Sequence, residues 1–210
     1  MLSLIEVSDM TEKIDKILLA SHNKGKIAEL AEILRPLGVE IISPAQIGLE
    51  LDPEETGTTF EENALIKARE YCAAANMPAV ADDSGLCIDA LGGEPGIYSA
   101  RFGGEDLSFA EKSKLLLEKL KDVPNGERGA HFSCAMAFVA PDGREFCVNG
   151  KCCGTIDFEL KGTKGFGYDP IFYVPEYDMT FAEMGEDIKN KISHRANASK
   201  LFFEEIKKYI

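Results

Sequence analysis

Apolar and polar residues alternate along the first half of the chain in blocks that predict short strands separated by helices. Residues 16–20 form an apolar run of strand length, and apolar side chains then recur at positions 27, 30, 31 and 34, the spacing of one helix face. Short apolar runs at 39–42 and 78–81 predict a second and a third strand. Strands that alternate with helices are typical of an α/β fold.

Helix caps add two more predicted elements. Thr-Phe-Glu-Glu at 59–62 and Ser-Phe-Ala-Glu at 108–111 have the pattern of capping boxes, so each is expected to open a helix. The first of these helices is predicted to end near residue 76. The second carries Phe109, Leu116, Leu117 and Leu120 on one apolar face, which is expected to pack on the core. The glycine-rich segment 92–104 is predicted to be a structured loop.

A β-hairpin is predicted in the second half, because residues 131–140 and 145–150 flank the turn Pro-Asp-Gly-Arg. Residues 155–156 are a candidate extension of this sheet, and a last amphipathic helix is predicted from about 195 to 209. These elements predict a mixed sheet in an α/β fold of two lobes. Residues 1–15 are assigned to an N-terminal extension and residues 16–210 to a single domain.

Composition narrows the class of protein. The formal net charge of −13 argues against DNA or RNA as a partner, since nucleic-acid affinity depends on many Lys and Arg contacts to phosphates. No apolar run approaches the ~20 residues of a membrane span, so a cytoplasmic protein without membrane contact is expected. The cysteines show no C-x-x-C pair and fall mostly in apolar runs, which predicts buried, reduced thiols. They are Cys72, Cys87, Cys134, Cys147, Cys152 and Cys153.

A candidate phosphate site lies between the first predicted strand and helix, at Ser-His-Asn-Lys-Gly-Lys, residues 21–26. The free N–H groups of a first helical turn and the positive end of its dipole attract anions, and Lys24 and Lys26 add charge. The segment is not a Walker A loop, which requires G-x-x-x-x-G-K-[ST]. From these residues alone, an ordinary solvated helix start remains an alternative.

Acidic residues occur at three places that are predicted to be loops: 54–55, 82–83 and 169. Carboxylates from different loops can form a hard-oxygen site that suits Mg²⁺, which also takes substrate phosphates as ligands. The alternative for each isolated pair is a solvated turn. The second pair favours the metal site because Asp-Asp-Ser-Gly follows an apolar strand directly.

Several other residues have the chemistry for a nucleotide site. Asn63 and Lys67 share a helix face at i, i+4 and could meet phosphate oxygens, although a helical lysine is usually solvated. Ser84 lacks the G-x-S-x-G context of a hydrolase nucleophile. His194 and Arg195 precede the last predicted helix and could read a base edge or a phosphate, whereas Ser193 could simply be the N-cap.

Seven motifs, in this order, resemble those of the inosine/xanthosine triphosphate pyrophosphatase family. The resemblance covers residues 16–203, nearly the whole chain. The motifs are Ser-His-Asn-Lys-Gly-Lys (21–26), Glu-Glu-Thr-Gly (54–57), Thr-Phe-Glu-Glu-Asn-Ala (59–64), Ala-Asp-Asp-Ser-Gly-Leu (81–86), Gly-Gly-Glu-Pro-Gly-Ile-Tyr-Ser-Ala-Arg (92–101), Gly-Phe-Gly-Tyr-Asp-Pro (165–170) and Ile-Ser-His-Arg (192–195).

The resemblance implies a two-lobed fold with an elongated mixed sheet, flanking helices and a nucleotide cleft, Mg²⁺ as cofactor and a homodimer. It implies that Glu54 and Asp83 hold the metal and that Asp83 is also the proton acceptor. His22 stands at a position that varies in the family and receives no role of its own. The implied substrate contacts are Ser21, His22, Asn23, Lys24, Gly25, Lys26, Ser84, Phe166, Gly167, Tyr168, Asp169, Lys189, His194 and Arg195.

The implied activity is hydrolysis of non-standard purine nucleoside triphosphates (ITP, dITP and XTP) to the monophosphate and pyrophosphate. Water would attack the α-phosphorus, and Lys26 and, by our own inference, Lys67 would offset charge on the pyrophosphate. A donor from Arg195 or a protonated His194 would meet the 6-oxo group of the base. A catalytically silent nucleotide sensor, or a pyrophosphatase for another nucleotide class, are the alternatives.

Overall fold

The computed structural model describes residues 14–21, 26–27, 30–31 and 34–210. Nearly all of the predicted N-terminal extension falls outside these residues. So do four positions of the predicted phosphate segment, His22, Asn23, Lys24 and Gly25. Ser21 and Lys26, at the two ends of that segment, are described.

A seven-stranded mixed sheet forms the centre of the molecule, in the order β2-β1-β3-β4-β5-β6-β7. Strand β1 runs parallel to both β2 and β3, and every later pair is antiparallel. The predicted mixed α/β sheet is therefore confirmed. The strands are β1 (Lys16–Leu19), β2 (Glu40–Ile42), β3 (Ala79–Ile88), β4 (Gly129–Val139), β5 (Glu145–Ile156), β6 (Phe172–Val174) and β7 (Met179–Thr180).

Four α-helices have defined bounds: α1 (Phe60–Ala75), α2 (Phe109–Lys119), α3 (Glu186–Ile192) and α4 (His194–Ile206). Ser108 caps α2 in a full capping box with Glu111. At α1 the box is incomplete, because Thr59 caps the N–H of Glu62 while the Glu62 carboxylate accepts from the N–H of Thr58. Ser193 is the N-cap of α4, which confirms the alternative given for this residue. Helix α3 was not predicted.

The prediction that residues 82–83 lie in a loop is wrong. Strand β3 continues through Asp82, Asp83 and Ser84 to Ile88, because β4 pairs with it over its whole length, from Ala79↔Val139 to Ile88↔Ala130. Within the described residues, β1 pairs with β3 through Ala79 and Val80. Beyond Val80, no described strand pairs with the β1 side of β3, where Cys87 forms an isolated bridge with Pro95.

The core consists of packed clusters on both faces of the sheet. Alternate residues of a strand point to opposite faces. On one face, here called the α4 face, Val80 and Met136 pack with Phe202 of α4. On the other, the α1 face, Ala81 and Ala135 pack with Ala64 and Ala68 of α1. A third cluster surrounds the far end of β3 and β4 and includes Leu86, Ile88, Phe132 and Phe172. The division into two lobes stays a prediction.

Helix α4 lies directly on β5, and Gly150 makes this contact possible. A Cβ atom on Gly150 would lie 2.1 Å from the backbone nitrogen of Ala198 and 2.3 Å from the carbonyl oxygen of His194. Both atoms belong to helix backbone, which has little freedom to move away. A side chain at this position must therefore push α4 off the sheet.

We expect Gly150→Ala to lower the free energy of unfolding by about 1–3 kcal/mol, the usual cost of overpacking a core. Urea denaturation followed by circular dichroism measures this change. Gly185→Ala is the matched control, because its φ of −79° suits alanine and a Cβ there would meet no atom within 4 Å. Equal stability of the two variants would show that α4 does not rest on Gly150.

Candidate functional site

Two carboxylates that are adjacent in β3 lie on opposite faces of the sheet. Asp82 follows the alternation of Val80 and points to the α4 face, whereas Asp83 follows Ala81 and points to the α1 face. Both side chains are buried. Although Asp82 and Asp83 are adjacent in the sequence, their carboxylates therefore lie in two separate sites. Each carboxylate makes its direct ion pairs with different cations.

Asp82 is neutralised by cations from two different elements. Its carboxylate accepts from the Lys26 ammonium at 3.0 Å and from the Arg195 guanidinium at 3.2 Å. Burial would raise the pKa of Asp82, but these two positive charges hold that pKa well below its usual range. Asp82 is therefore ionised. Its two ion pairs connect Lys26, at the end of the predicted phosphate segment, with Arg195 at the start of α4.

Asp83 belongs to a second network on the α1 face. Its two oxygens lie 3.3 Å from the Lys67 ammonium and 3.3 Å from the Asn63 amide nitrogen. Lys67 also contacts Glu55 at 2.5 Å, and Arg101 lies 3.5 Å from the other oxygen of Glu55. Burial raises the pKa of Asp83, against the opposing effect of Lys67. The pKa of Lys67, which burial would lower, is raised by the Asp83 and Glu55 charges.

Helix α1 positions this network. Asn63 and Lys67 lie one turn apart on the face that meets β3. The Asn63 amide oxygen accepts from the Gly57 N–H at 2.8 Å and so holds the 54–57 loop against the helix. A Cβ on Gly57 would lie 2.6 Å from that same oxygen, so the contact requires glycine. The predicted shared face of Asn63 and Lys67 is confirmed, and Lys67 is not a solvated lysine.

A cleft of about 340 Å³ opens on the α4 face beside Ser84. It brings together most of the described residues that the sequence places at the substrate. Glu54, Lys67, Asp83, Lys189 and Arg195 are not among the residues that line it. The lining comprises Ser21, Lys26, Ser84, Gly85, Ser99, Ala100, Phe109, Phe132, Phe166, Gly167, Tyr168, Asp169 and His194.

The 166–169 loop lines the cleft and is held by one hydrogen bond within the loop and two contacts to neighbouring residues. The Asp169 carboxylate accepts from the Phe166 N–H at 2.8 Å and pairs with the Lys189 ammonium. The Tyr168 hydroxyl donates to the Ser99 carbonyl at 2.8 Å. These contacts hold the loop while the Phe166 ring stays 53% exposed. The Lys189 ammonium lies 4.6 Å from the centre of that ring.

His194 and Arg195 occupy different positions in the site. The His194 ring is buried, lines the cleft and stacks on Phe132 at 4.8 Å. Burial, with the nearby Arg195 and Lys189 charges, lowers the pKa of His194 well below its ordinary value, so the imidazole is neutral and the prediction of a protonated donor is wrong. Arg195 reaches the Ser84 hydroxyl at 3.2 Å as well as Asp82.

Two features of the site are not predicted by the sequence: which of two neighbouring glutamates reaches Lys67, and the place of Phe109 in the cleft. Glu54 is exposed, and the carboxylate that reaches Lys67 is that of its neighbour Glu55, a difference of side-chain direction that residue types do not reveal. Phe109 was assigned to a core face, yet it is 40% exposed and lines the cleft. Glu54 as a metal ligand stays a prediction.

The chain is similar to proteins of one known family. The model of the Ham1 family matches residues 17–205. The chain belongs to the Ham1 family. This Ham1-family chain is 45% identical to the dITP/XTP pyrophosphatase of Shigella flexneri over 196 residues, which cover 92% of this chain and 99% of that protein. It is 48% identical over 189 residues to the dITP/XTP pyrophosphatase of Desulforamulus reducens, with 90% and 94% coverage.

Solved structures of Ham1 proteins show the same fold. The Staphylococcus aureus Ham1 protein matches with a TM-score of 0.86 and 40% identity, covering 93% of this chain and all of that one. A nucleoside-triphosphatase / dITP/XTP pyrophosphatase from Mycobacterium abscessus matches with a TM-score of 0.75 and 43% identity, covering 89% and 98%. In the part of the chain that the structure describes, no helix is long and apolar enough to cross a membrane.

We expect Asp82→Asn to destabilise the Ham1-family fold at pH 7 by about 3–5 kcal/mol, because it removes the buried negative charge that faces the buried Arg195 guanidinium and the partly buried Lys26 ammonium. Since the folded-state pKa of Asp82 is depressed, its contribution is fully present above the unfolded value and is lost as pH falls. The gap between wild type and variant in urea denaturation should therefore shrink below about pH 4.

Asp142→Asn is the control, since Asp142 pairs with Arg144 at an exposed position and should contribute less than about 1 kcal/mol. A loss for Asp82→Asn no larger than that of this control would contradict the buried ion cluster.

Proposed function

We propose that this protein hydrolyses the non-standard purine nucleoside triphosphates ITP, dITP and XTP to the nucleoside monophosphate and pyrophosphate. The proposal is supported by the names of its relatives and by one structural observation. An aromatic cleft and a carboxylate–lysine network lie on opposite faces of one strand, at Ser84 and Asp83. A nucleotide has both kinds of chemistry, an aromatic base and a polyanionic tail.

At Asp82 and Ser84 no described strand pairs with the β1 side of β3, and this stretch gives a route between the two faces. The Val80 carbonyl accepts from Ala20, and the Leu86 N–H donates to the Ser99 hydroxyl. Because hydrogen-bonding direction alternates along a strand, the backbone groups of Asp82 and Ser84 face the gap between these two contacts. A base in the cleft would place its phosphates across this gap, with Lys26 beside the path and Asp83 beyond it.

The residues present fit a divalent metal. The Lys67 ammonium already lies between carboxylate oxygens of Glu55 and Asp83, so two acidic side chains share a space that holds a cation. Mg²⁺ is commonly held by one or two carboxylates together with substrate phosphates and water. Asp83, with Glu54 as the resemblance implies or with Glu55, would hold it.

A bound Mg²⁺ would neutralise phosphate oxygens and favour ionisation of water. Asp83 is the proposed proton acceptor for the water that attacks the α-phosphorus. Burial raises the pKa of Asp83 toward the range in which a general base is most effective, and the Lys67 charge opposes this rise. Lys26 and Lys67 would offset the charge of the departing pyrophosphate.

The cytoplasmic location and the homodimer implied by the resemblance belong to this proposal as well. The catalytically silent sensor is the weaker alternative, because Asp83, Lys67 and Glu55 form a complete acid–base network that mere binding would not require. A pyrophosphatase for another nucleotide class would use the same residues with a different base in the cleft.

The choice of bond tests the mechanism. Inosine triphosphate should yield inosine monophosphate and pyrophosphate, and in oxygen-18 water the label should enter the monophosphate, because water attacks the α-phosphorus. EDTA should abolish turnover and excess Mg²⁺ should restore it. Mass spectrometry of the products, with separate assays for pyrophosphate and orthophosphate, gives the result. Orthophosphate as the first product, or label in pyrophosphate, would exclude this mechanism.

Asp83→Asn keeps the size of the side chain and removes its charge and basicity. We expect kcat for inosine triphosphate to fall by at least 10²–10⁴, roughly the contribution of general acid–base catalysis.

Asp106→Asn, at an exposed position, is the control and should keep wild-type kcat. Circular dichroism establishes that both variants are folded. A folded Asp83→Asn protein with near-normal turnover would remove Asp83 from the reaction.

A further inference from the structure

Phe109 is an aromatic residue of the cleft that none of the seven family-like motifs contains. It is the first residue of α2, and its stripe on that helix continues with Leu116 and Leu120, which are fully buried. Phe109 itself is 40% exposed and lines the cleft. A large apolar ring that is exposed in a ligand pocket indicates contact with a ligand, since burial of its apolar area is favourable.

The Phe109 ring is held in place from two sides. Its edge-on contact with Tyr168 has ring centres 5.3 Å apart and an interplanar angle of 87°. The buried ammonium of Lys112 lies 5.2 Å from the Phe109 ring centre and donates to the Ala100 carbonyl. Tyr168 and Ala100 themselves line the cleft. The ring is thus preorganised, with a cation on one side.

Phe166, which also lines the cleft, has a similar arrangement. Its ring is half-exposed and lies near the Lys189 ammonium and the Arg195 guanidinium, at 4.6 and 5.8 Å. The cleft therefore has two half-exposed aromatic rings, each close to a cation, one from the 166–169 loop and one from α2. Flat π-systems stack on such rings with little dependence on base identity.

We propose that Phe109 is a second aromatic wall of the cleft that contacts the nucleotide base. This inference rests on the proposed function, which supplies the nucleotide. Phe109 binds the base and not the phosphates, because the carboxylate–lysine network around Asp83 lies on the opposite face of β3.

Phe109→Ala separates base binding from chemistry. Stacking of one base on an aromatic ring corresponds to roughly a tenfold effect or more, so KM for inosine triphosphate should rise about tenfold with kcat changed less than about threefold. Competitive inhibition by inosine monophosphate should weaken in parallel, whereas inhibition by inorganic tripolyphosphate, which has no base, should stay unchanged.

Leu115→Ala is the matched control, because Leu115 lies on the same helix with similar exposure, 42%, and does not line the cleft. It should leave all three measurements as in the wild type.

Phe109→Trp provides a readout without turnover. The chain contains no tryptophan, so this variant has a single tryptophan, at the proposed base contact. Its fluorescence should change on addition of inosine monophosphate and not on addition of tripolyphosphate, and its KM should stay within about threefold of the wild type because an aromatic wall is retained. Leu115→Trp should show no such change with either compound.

Two results would overturn the inference. One is an unchanged KM in Phe109→Ala together with a silent Phe109→Trp signal. The other is an equal loss of affinity for inosine monophosphate and tripolyphosphate, which would make Phe109 a support of the whole pocket. Wild-type protein that releases no pyrophosphate from inosine triphosphate would instead reject the proposed function, so the two failures are distinguishable.

Discussion

The site depends on the pairing of β3 with β4. This antiparallel ladder extends from Ala79 to Ile88 and keeps the backbone extended through residues that would otherwise favour a turn. Extension imposes a period of two on the side chains. One carboxylate is thereby directed under Lys26 and Arg195, and the next toward Asn63 and Lys67. A turn at the same residues would have mixed the two sets of charges.

Each carboxylate has a role that follows from its surroundings. Asp82 has two cations close by and a strongly depressed pKa, which suits a structural counter-ion. Asp83 has a lysine at a longer distance, a second acid nearby and a raised pKa, which suits a base. Two identical residues, adjacent in the chain, are thus given opposite tendencies to bind a proton by desolvation and neighbouring charge.

Much of the fold could be predicted because its signals are local. Caps at Thr59, Ser108 and Ser193 identify the starts of α1, α2 and α4, and the α/β class follows from the order of elements. The course of β3 through Asp82 and Asp83 could not be predicted, because a partner strand some fifty residues later in the chain overrides local turn preference. The exposure of Phe109 could not be predicted either. Helical spacing identifies the apolar face of α2, but it does not show how far along that face the residues are buried in the core. The side-chain directions of Glu54 and Glu55 depend on loop geometry.

The period of two in β3 has a consequence for how this chain can vary in length. Insertion of a single residue before Asp82 would move Asp82 to the α1 face, into the position of Asp83, and would move Asp83 into the position of Ser84. The inserted residue would then occupy the position beside Lys26 and Arg195, and every later residue of the strand would change face. We therefore expect β3 to tolerate changes of residue type far better than changes of length, while the surface turn at 141–144 has no such restriction.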